Sequence, residues 1–148
     1  MGLLSEIGAG PVALDSSIFI YYIEENPQYL QLVDPIFEAI TEGRLEAVTC
    51  ALTLLETLVV PLRTGNEVLA RQYERFLTRS QGLHLVPIDS GLLRAAAHVR
   101  AVARLKTPDA LQVASALSAE CPTFLTNDGR IPSMPGLRVL QLEDYLEP

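Results

Sequence analysis

The sequence predicts an α/β fold built on a mostly parallel sheet. Short apolar runs of strand length recur at residues 11–14, 45–48, 83–88, 123–125 and 137–142. Most of the stretches between them carry apolar residues at three- or four-residue spacing, the signature of helices that bury one face. Helices alternating with strands return the chain to the same end of a sheet, which is what parallel pairing requires. At 148 residues and 49% hydrophobic, the chain suits one domain over 1–148 with a real core, and wholesale disorder is excluded.

The elements follow in order. Pro11–Leu14 reads as a buried strand that delivers Asp15, Ser16 and Ser17 at its carboxyl end. Ile18–Glu25 reads as helix, and Pro27 opens a second one through Leu30, Val33, Phe37 and Ile40 that Gly43 ends. Leu45–Val48 is the second strand, with Thr49 or Thr53 placed to cap a helix holding Leu54, Leu55, Leu58 and Val59. Pro61 and Gly65 are expected to close it. Val68, Tyr73, Phe76 and Leu77 mark the next helix, with Arg71, Arg75 and Arg79 at four-residue spacing along one side. Leu83–Ile88 is strand-like, and Asp89 or Ser90 can cap a helix running through Leu92, Ala96, Val99 and Leu105. Thr107-Pro108 reads as a hydroxyl cap followed by proline at the first helical position. Thr123–Leu125 is a strand ending in Thr126-Asn127-Asp128, and a Pro/Gly-rich turn leads to an edge strand over Leu137–Leu142.

Charge is unevenly spread. The chain carries a net −7, but residues 1–62 hold −8, residues 63–106 hold +5 and residues 107–148 hold −4. A uniformly basic nucleic-acid binder is excluded, whereas a local basic surface around Arg63, Arg71, Arg75, Arg79, Arg94, Arg100, Arg104 and Lys106 is not. Cys50 and Cys121 sit far apart among apolar neighbours, in no zinc or redox spacing, and read as buried free thiols. MGLLSEIGAG lacks a basic start and a long apolar stretch. The apolar run around residue 56 is broken by Glu56 and Pro61, too short to cross a bilayer. A cytoplasmic protein with no membrane association is expected.

Functional groups of open parallel sheets gather beyond the carboxyl ends of strands, where Asp15 and Asp128 fall. Glu56 lies inside ALTLLETLVV, so the helix face carrying it adjoins apolar side chains, and Asp109 follows Thr107-Pro108 at a helix start. Each acid alone has a local explanation as a cap, a turn residue or part of a solvated stripe. Converging, they would repel one another and raise their own pKa values unless a hard cation joined them. Oxygen donors without soft ligands suit Mg²⁺ or Mn²⁺. No Ser/His/Asp triad or phosphate-cradling glycine loop is evident, and His84 and His98 read as structural or surface groups.

ALDSSIFIYYI at 13–23, TLLETLVVPL at 53–62, LKTPDALQVASAL at 105–117 and FLTNDGRIPSMPGLRVLQLEDYL at 124–146 together resemble a PIN domain. The likeness is specifically to the ribonuclease toxins of VapBC-type toxin–antitoxin pairs, and it spans nearly the whole chain in order. It implies a PIN-like α/β/α sandwich around a central, mostly parallel sheet of four or five strands. It also implies a site in which Asp15, Glu56, Asp109 and Asp128 hold Mg²⁺ or Mn²⁺ and cleave RNA, supported by Ser17, Thr126 and Asn127. A homodimer and a small cognate antitoxin come with the same resemblance.

Two departures are visible. Gly129-Arg130 and a Pro/Gly-rich stretch follow the fourth acid, with no further acid until Glu143, and residue 116 is alanine. One metal ion or two therefore both fit. The expected activity is a metal-dependent endoribonuclease, with a PIN nuclease of RNA maturation or DNA processing as the alternative. A catalytically weak PIN-fold regulatory binding protein is a further alternative. A receiver module also uses strand-end acids and Mg²⁺, but the adjacent acid pair after the first strand is missing and Lys106 precedes a helix rather than ending a strand.

Overall fold

In the computed structural model, which describes residues 2–147, five short apolar runs become the strands of one sheet. They are β1 (Val12–Leu14), β2 (Ala47–Cys50), β3 (Leu83–Val86), β4 (Thr123–Thr126) and β5 (Arg138–Gln141), in the order β3-β2-β1-β4-β5. Every neighbouring pair is parallel, with Val12 opposite both Ala47 and Thr123. The expected edge strand is β5. Eight helical segments connect and flank the strands: α1 (Leu3–Ile7), α2 (Ser16–Ile23), α3 (Leu30–Thr41), α4 (Leu52–Arg63), α5 (Glu67–Arg79), α6 (Ser90–Ala103), α7 (Thr107–Ser118) and a 3₁₀ turn over Leu142–Tyr145.

Successive strand residues point to opposite faces, and this alternation divides the interior into two cores. Val12, Leu14, Ala47, Leu83, Leu125 and Leu140 pack with Ile18, Phe19, Val33, Ile36, Phe37 and Leu77 on one side. Ala13, Val48, Cys50, Phe124 and Val139 pack with Leu92, Ala96, Leu111, Val113 and Ala114 on the other. The result is the expected α/β/α sandwich, with α1, α2, α3 and α5 facing α6 and α7 across the sheet. The central strands β1, β2 and β4 are buried along their whole length, which is why they read as largely apolar runs, whereas the edge strands β3 and β5 expose His84 and Arg138. An aromatic cluster of Phe19, Tyr22, Phe37 and Phe76 fills the first core, with Phe19 and Phe37 centroids 5.6 Å apart. Cys50 and Cys121 are buried free thiols, as expected.

Several local expectations change. The second strand lies two residues later than its apolar run, because Leu45 is buried ahead of it while Thr49 and Cys50 continue the ladder to β3. Neither Thr49 nor Thr53 caps α4. Thr49 donates to the Leu14 carbonyl at 2.8 Å and Ala51 holds the N-cap position. Thr107 is likewise no side-chain cap: it opens α7, with Lys106 before it, and its hydroxyl accepts from Arg100 Nη1 at 2.9 Å. Pro61 lies within α4 rather than ending it. Leu30, not Pro27, begins α3, after Asn26 accepts the amides of Gln28 and Tyr29. Asp89 does cap α6, accepting from the Leu92 amide at 2.8 Å. Helix α1, too short for a periodic signal, is an addition. Among the described residues no helix is long and apolar enough to cross a membrane.

Candidate active site

The strand order sets where a site can form. From β1 the chain moves outward to β2 and β3, then crosses back to β4 and moves outward again to β5. The crevice between the carboxyl ends of β1 and β4 is therefore the topological switch point, where the two connections leave in opposite directions. Asp15 follows β1 and Asp128 lies just beyond β4. The Asp15 amide donates to the Leu125 carbonyl at 3.1 Å, so the ladder carries the first acid to the mouth of that crevice.

Asp15 is the N-cap of α2. Its Oδ1 accepts the Ser16 amide at 2.7 Å and its Oδ2 accepts the Thr126 hydroxyl at 2.6 Å. Thr126 in turn accepts the Asp128 amide at 3.0 Å, so one hydroxyl fixes both strand-end acids. On the other flank, Ser16 Oγ donates to Glu56 Oε1 at 2.5 Å, which brings the second turn of α4 to the start of α2. Asp109 sits in the first turn of α7, and Arg130 Nη2 lies 3.9 Å from its Oδ2 and 2.6 Å from Asp128 Oδ2. A continuous chain of contacts thus runs from Glu56 through Ser16, Asp15, Thr126, Asp128 and Arg130 to Asp109.

Beneath these acids lies a buried polar seam. Thr53 Oγ1 lies 2.7 Å from Thr49 Oγ1 and accepts Gln112 Nε2 at 2.8 Å, while Gln112 Oε1 accepts the Cys50 amide at 3.3 Å. Each hydroxyl has one proton, and this fixes the directions. Thr49 spends its proton on Leu14, so Thr53 is the donor to Thr49. Ser16 spends its own on Glu56, so its 3.3 Å approach to Thr53 carries no proton. The seam ties β2, α4 and α7 together under the acids, and burying it is tolerable because its polar groups are paired.

The carboxylates stand in different fields. Burial pushes Asp15 upward from the ordinary carboxylate value, opposed by its bonds from Thr126 and Ser16 and reinforced by the charges of Glu56 and Asp128. Asp109 is also raised, by burial and then by Asp128, with Arg130 and Lys106 pulling the other way. Asp128 is lowered, chiefly by the Arg130 guanidinium that donates to it. Burial and neighbouring charge thus oppose ionisation of Asp15 and Asp109, whereas the guanidinium favours it at Asp128.

Of the supporting residues, Thr126 holds two of the acids. Asn127 turns elsewhere: Nδ2 donates to Tyr21 Oη at 3.1 Å and Oδ1 accepts the Glu143 amide at 3.0 Å. Ser17 Oγ is buried and has no hydrogen-bond partner among the described residues, while its neighbour Ser16 makes the contact to Glu56. Ser16, Thr53, Gln112 and Arg130 were not legible as site residues. The only available signals were the adjacency of Ser16 to Asp15 and the three-residue offsets of Thr53 from Glu56 and of Gln112 from Asp109.

The donor set suits a hard divalent cation: all four acids offer oxygen, and two of them are raised by burial and mutual repulsion that a cation would relieve. A guanidinium already bridges Asp128 and Asp109. Among the described residues no group of three or more His, Cys, Asp or Glu side chains is gathered as a ready-made ion-holding cluster. The carboxylates are instead linked to one another through Ser16, Thr126 and Arg130.

The PIN domain family matches residues 12–137, which takes in strands β1 to β4 and all four acids. The chain belongs to the PIN domain family. No curated protein matches it in sequence. Among solved structures, its PIN fold is similar to VapBC2 from Rickettsia felis bound to a promoter DNA fragment, at 15% identity and a TM-score of 0.67. That match covers 88% of this chain and 97% of the other. A toxin–antitoxin complex from Klebsiella pneumoniae matches at 16% identity and a TM-score of 0.64, over 85% and 94% of the two chains. FitAcB from Neisseria gonorrhoeae matches at 16% identity and 0.62, over 89% and 98%. The fold is thus shared with these structures at 15–16% sequence identity.

Proposed function

We propose that this PIN protein is a metal-dependent endoribonuclease, the toxin of a toxin–antitoxin pair. The observation that carries the reading is the chain of contacts that links Glu56, Asp15, Asp128 and Asp109 around the β1/β4 crevice through Ser16, Thr126 and Arg130. Asp15, Asp109, Asp128 and Glu56 would hold Mg²⁺ or Mn²⁺. Such an ion, when bound, supplies Lewis-acid polarisation of a phosphate and a lowered pKa for attacking water.

The chain's own groups do the rest. Thr126 and the Ser16 amide hold both oxygens of Asp15 in place, so its carboxylate enters the reaction oriented. Ser16 engages Glu56 Oε1, leaving the other carboxylate oxygen to accept a proton from water attacking the phosphodiester. Attack by water leaves a 5′-phosphate and a 3′-hydroxyl. Arg71, Arg75 and Arg79 along the exposed side of α5 offer an RNA backbone positive charge that is not already paired with the acids of the crevice, as Arg130 is. A flexible or looped strand enters such a crevice more readily than a duplex.

A protein partner fits the surface of α4. Leu55, Val59 and Leu62 form an exposed apolar stripe there, with Leu62 62% exposed. The proposal includes a small antitoxin and a homodimer as the occupants of such surfaces; the similar structure from Klebsiella pneumoniae, a toxin–antitoxin complex, supports a protein partner.

The test is cleavage of a mixed RNA panel by wild type and Asp15→Asn, in Mg²⁺, Mn²⁺ and EDTA, with end-group analysis of the products. Cleavage in either metal, none in EDTA and little in D15N is expected. Persistent cleavage in EDTA, or full activity in D15N, would overturn the metal–carboxylate reading. Co-purification of a small protein from a neighbouring gene would separate toxin from maturation nuclease.

A further inference from the structure

Among the described residues, Arg130 is the one basic side chain that lies within 4 Å of two of the proposed metal ligands. Its Nε donates to Asp128 Oδ1 at 2.9 Å and its Nη2 to Asp128 Oδ2 at 2.6 Å, a two-pronged pairing that matches the planar guanidinium to the carboxylate. The same Nη2 lies 3.9 Å from Asp109 Oδ2. Its own backbone amide also donates to Asp128 Oδ1 at 3.0 Å, closing the turn that presents the side chain. The turn is tied to the body of the domain on its far side. Ile131, the next residue, is buried in the second core, and Gln141 Nε2 donates to the carbonyls of Asp128 and Ile131.

We infer that Arg130 is a tethered counter-ion of the Asp128/Asp109 pair, which a divalent cation must displace to take up those carboxylates. This rests on the metal reading proposed above and adds to it a built-in competitor. The oxygens that Arg130 engages are the ones an ion would need, and a guanidinium donating to both oxygens of Asp128 leaves neither free for an ion. A cation attached to the same short turn is always at hand, so it competes at a high effective concentration. Because the side chain is 63% exposed, solvent screens the pair and keeps the competition modest. The site would therefore need several-fold more divalent ion to load than it would without Arg130, and Asp128 would stay paired when the ion is scarce.

Mn²⁺ binding to the full chain, read as loss of the free-ion electron paramagnetic resonance signal, tests this without reference to cleavage. Wild type would be compared with Arg130→Ala, Arg130→Lys and Lys106→Ala, the last removing a nearby charge that acts on both acids without bonding to either. Arg130→Ala should bind Mn²⁺ roughly three- to tenfold more tightly than wild type, with Arg130→Lys between them and Lys106→Ala changed less. Millimolar guanidinium should weaken Mn²⁺ binding to Arg130→Ala more than sodium chloride of equal ionic strength, and Asp128→Asn should erase the effect of Arg130→Ala. Equal affinity in wild type and Arg130→Ala, or an equal gain from Lys106→Ala, would overturn the inference and leave the metal site standing. Failure of both wild type and Arg130→Ala to bind Mn²⁺ would overturn the metal reading, and the competitor with it.

Discussion

The Ser16 hydroxyl donates to Glu56 Oε1 at 2.5 Å while the Ser16 amide donates to Asp15 Oδ1 at 2.7 Å. One residue at the first position of α2 thus orients acids that lie forty-one positions apart in sequence, using its side chain for one and its backbone for the other. Only the side-chain bond can be removed by substitution. The backbone bond keeps Asp15 in its cap position for any residue at 16 other than proline.

Ser16→Ala should therefore lower RNA cleavage roughly ten- to a hundredfold, by releasing Glu56 from its orientation, and lower stability by about 1 kcal/mol. Ser17→Ala is the paired control. Its hydroxyl is buried without a partner, so removing it should leave stability unchanged or slightly higher and cleavage intact. Initial rates and urea melts of the two variants check this. Equal losses of activity would show that the Ser16–Glu56 contact has no special part.

The buried seam makes a stability prediction of its own. Thr53→Val keeps the shape but leaves Gln112 Nε2 without its acceptor and Thr49 without its donor, in a place where Thr53 is 0% and Gln112 3% exposed. The expected loss is about 1–3 kcal/mol by urea denaturation. Gln112→Leu removes the stranded group, so the double variant should lose less than the sum of the two single ones. Strict additivity would mean that the two side chains do not share their energy.

These contacts also mark the limit of what the sequence discloses. Strands β1 and β4 and the acids at their ends are legible, because burial on both faces imposes an apolar run and the turn to a helix imposes a polar one. Asp89 as a cap is legible for the same local reason. Thr49 and Thr107 look like caps by the same rule, yet tertiary partners claim their hydroxyls: the Leu14 carbonyl in one case and Arg100 in the other. Ser16 and Ser17 are indistinguishable until α4 arrives with Glu56 on one side of α2. Arg130 reads as part of a turn because its meaning depends on where α7 places Asp109. Local chemistry survives in the sequence, whereas contacts between segments far apart are written only in the fold.

Cys121 supplies a pH dependence remote from the acids. Burial alone pushes its thiol up to about 11 from an ordinary value of 9.0. The folded form holds its proton more tightly than the unfolded chain does. Stability from this group is thus complete below pH 9.0 and is lost as the pH rises through about 11. The loss amounts to about 2 kcal/mol at the upper end. Urea midpoints across that range should fall more steeply for wild type than for Cys121→Ala, and iodoacetamide should label Cys121 only after unfolding. Parallel pH curves for the two proteins would refute the assignment.

The arginines of α5 make the last prediction. Arg71, Arg75 and Arg79 are exposed along one side of a helix whose opposite side buries Ala70, Tyr73 and Leu77, so the side chains are free to meet phosphate. Arg71 is 3.9 Å from Glu67, an exposed pair weak enough to yield to an RNA backbone. Each single-strand phosphate neutralised releases counter-ion, which gives a salt dependence of about 0.7 in the log–log slope. Replacing all three arginines by alanine in an Asp15→Asn background, where RNA binds without being cut, should reduce that slope by about 0.7 for every phosphate that is no longer neutralised. The fold should be unaffected, since none of the three is buried. Filter binding to a short single-stranded RNA over a range of salt measures it directly. An unchanged slope would place the RNA path on another face and leave α5 with no part in how an acidic protein holds an acidic polymer.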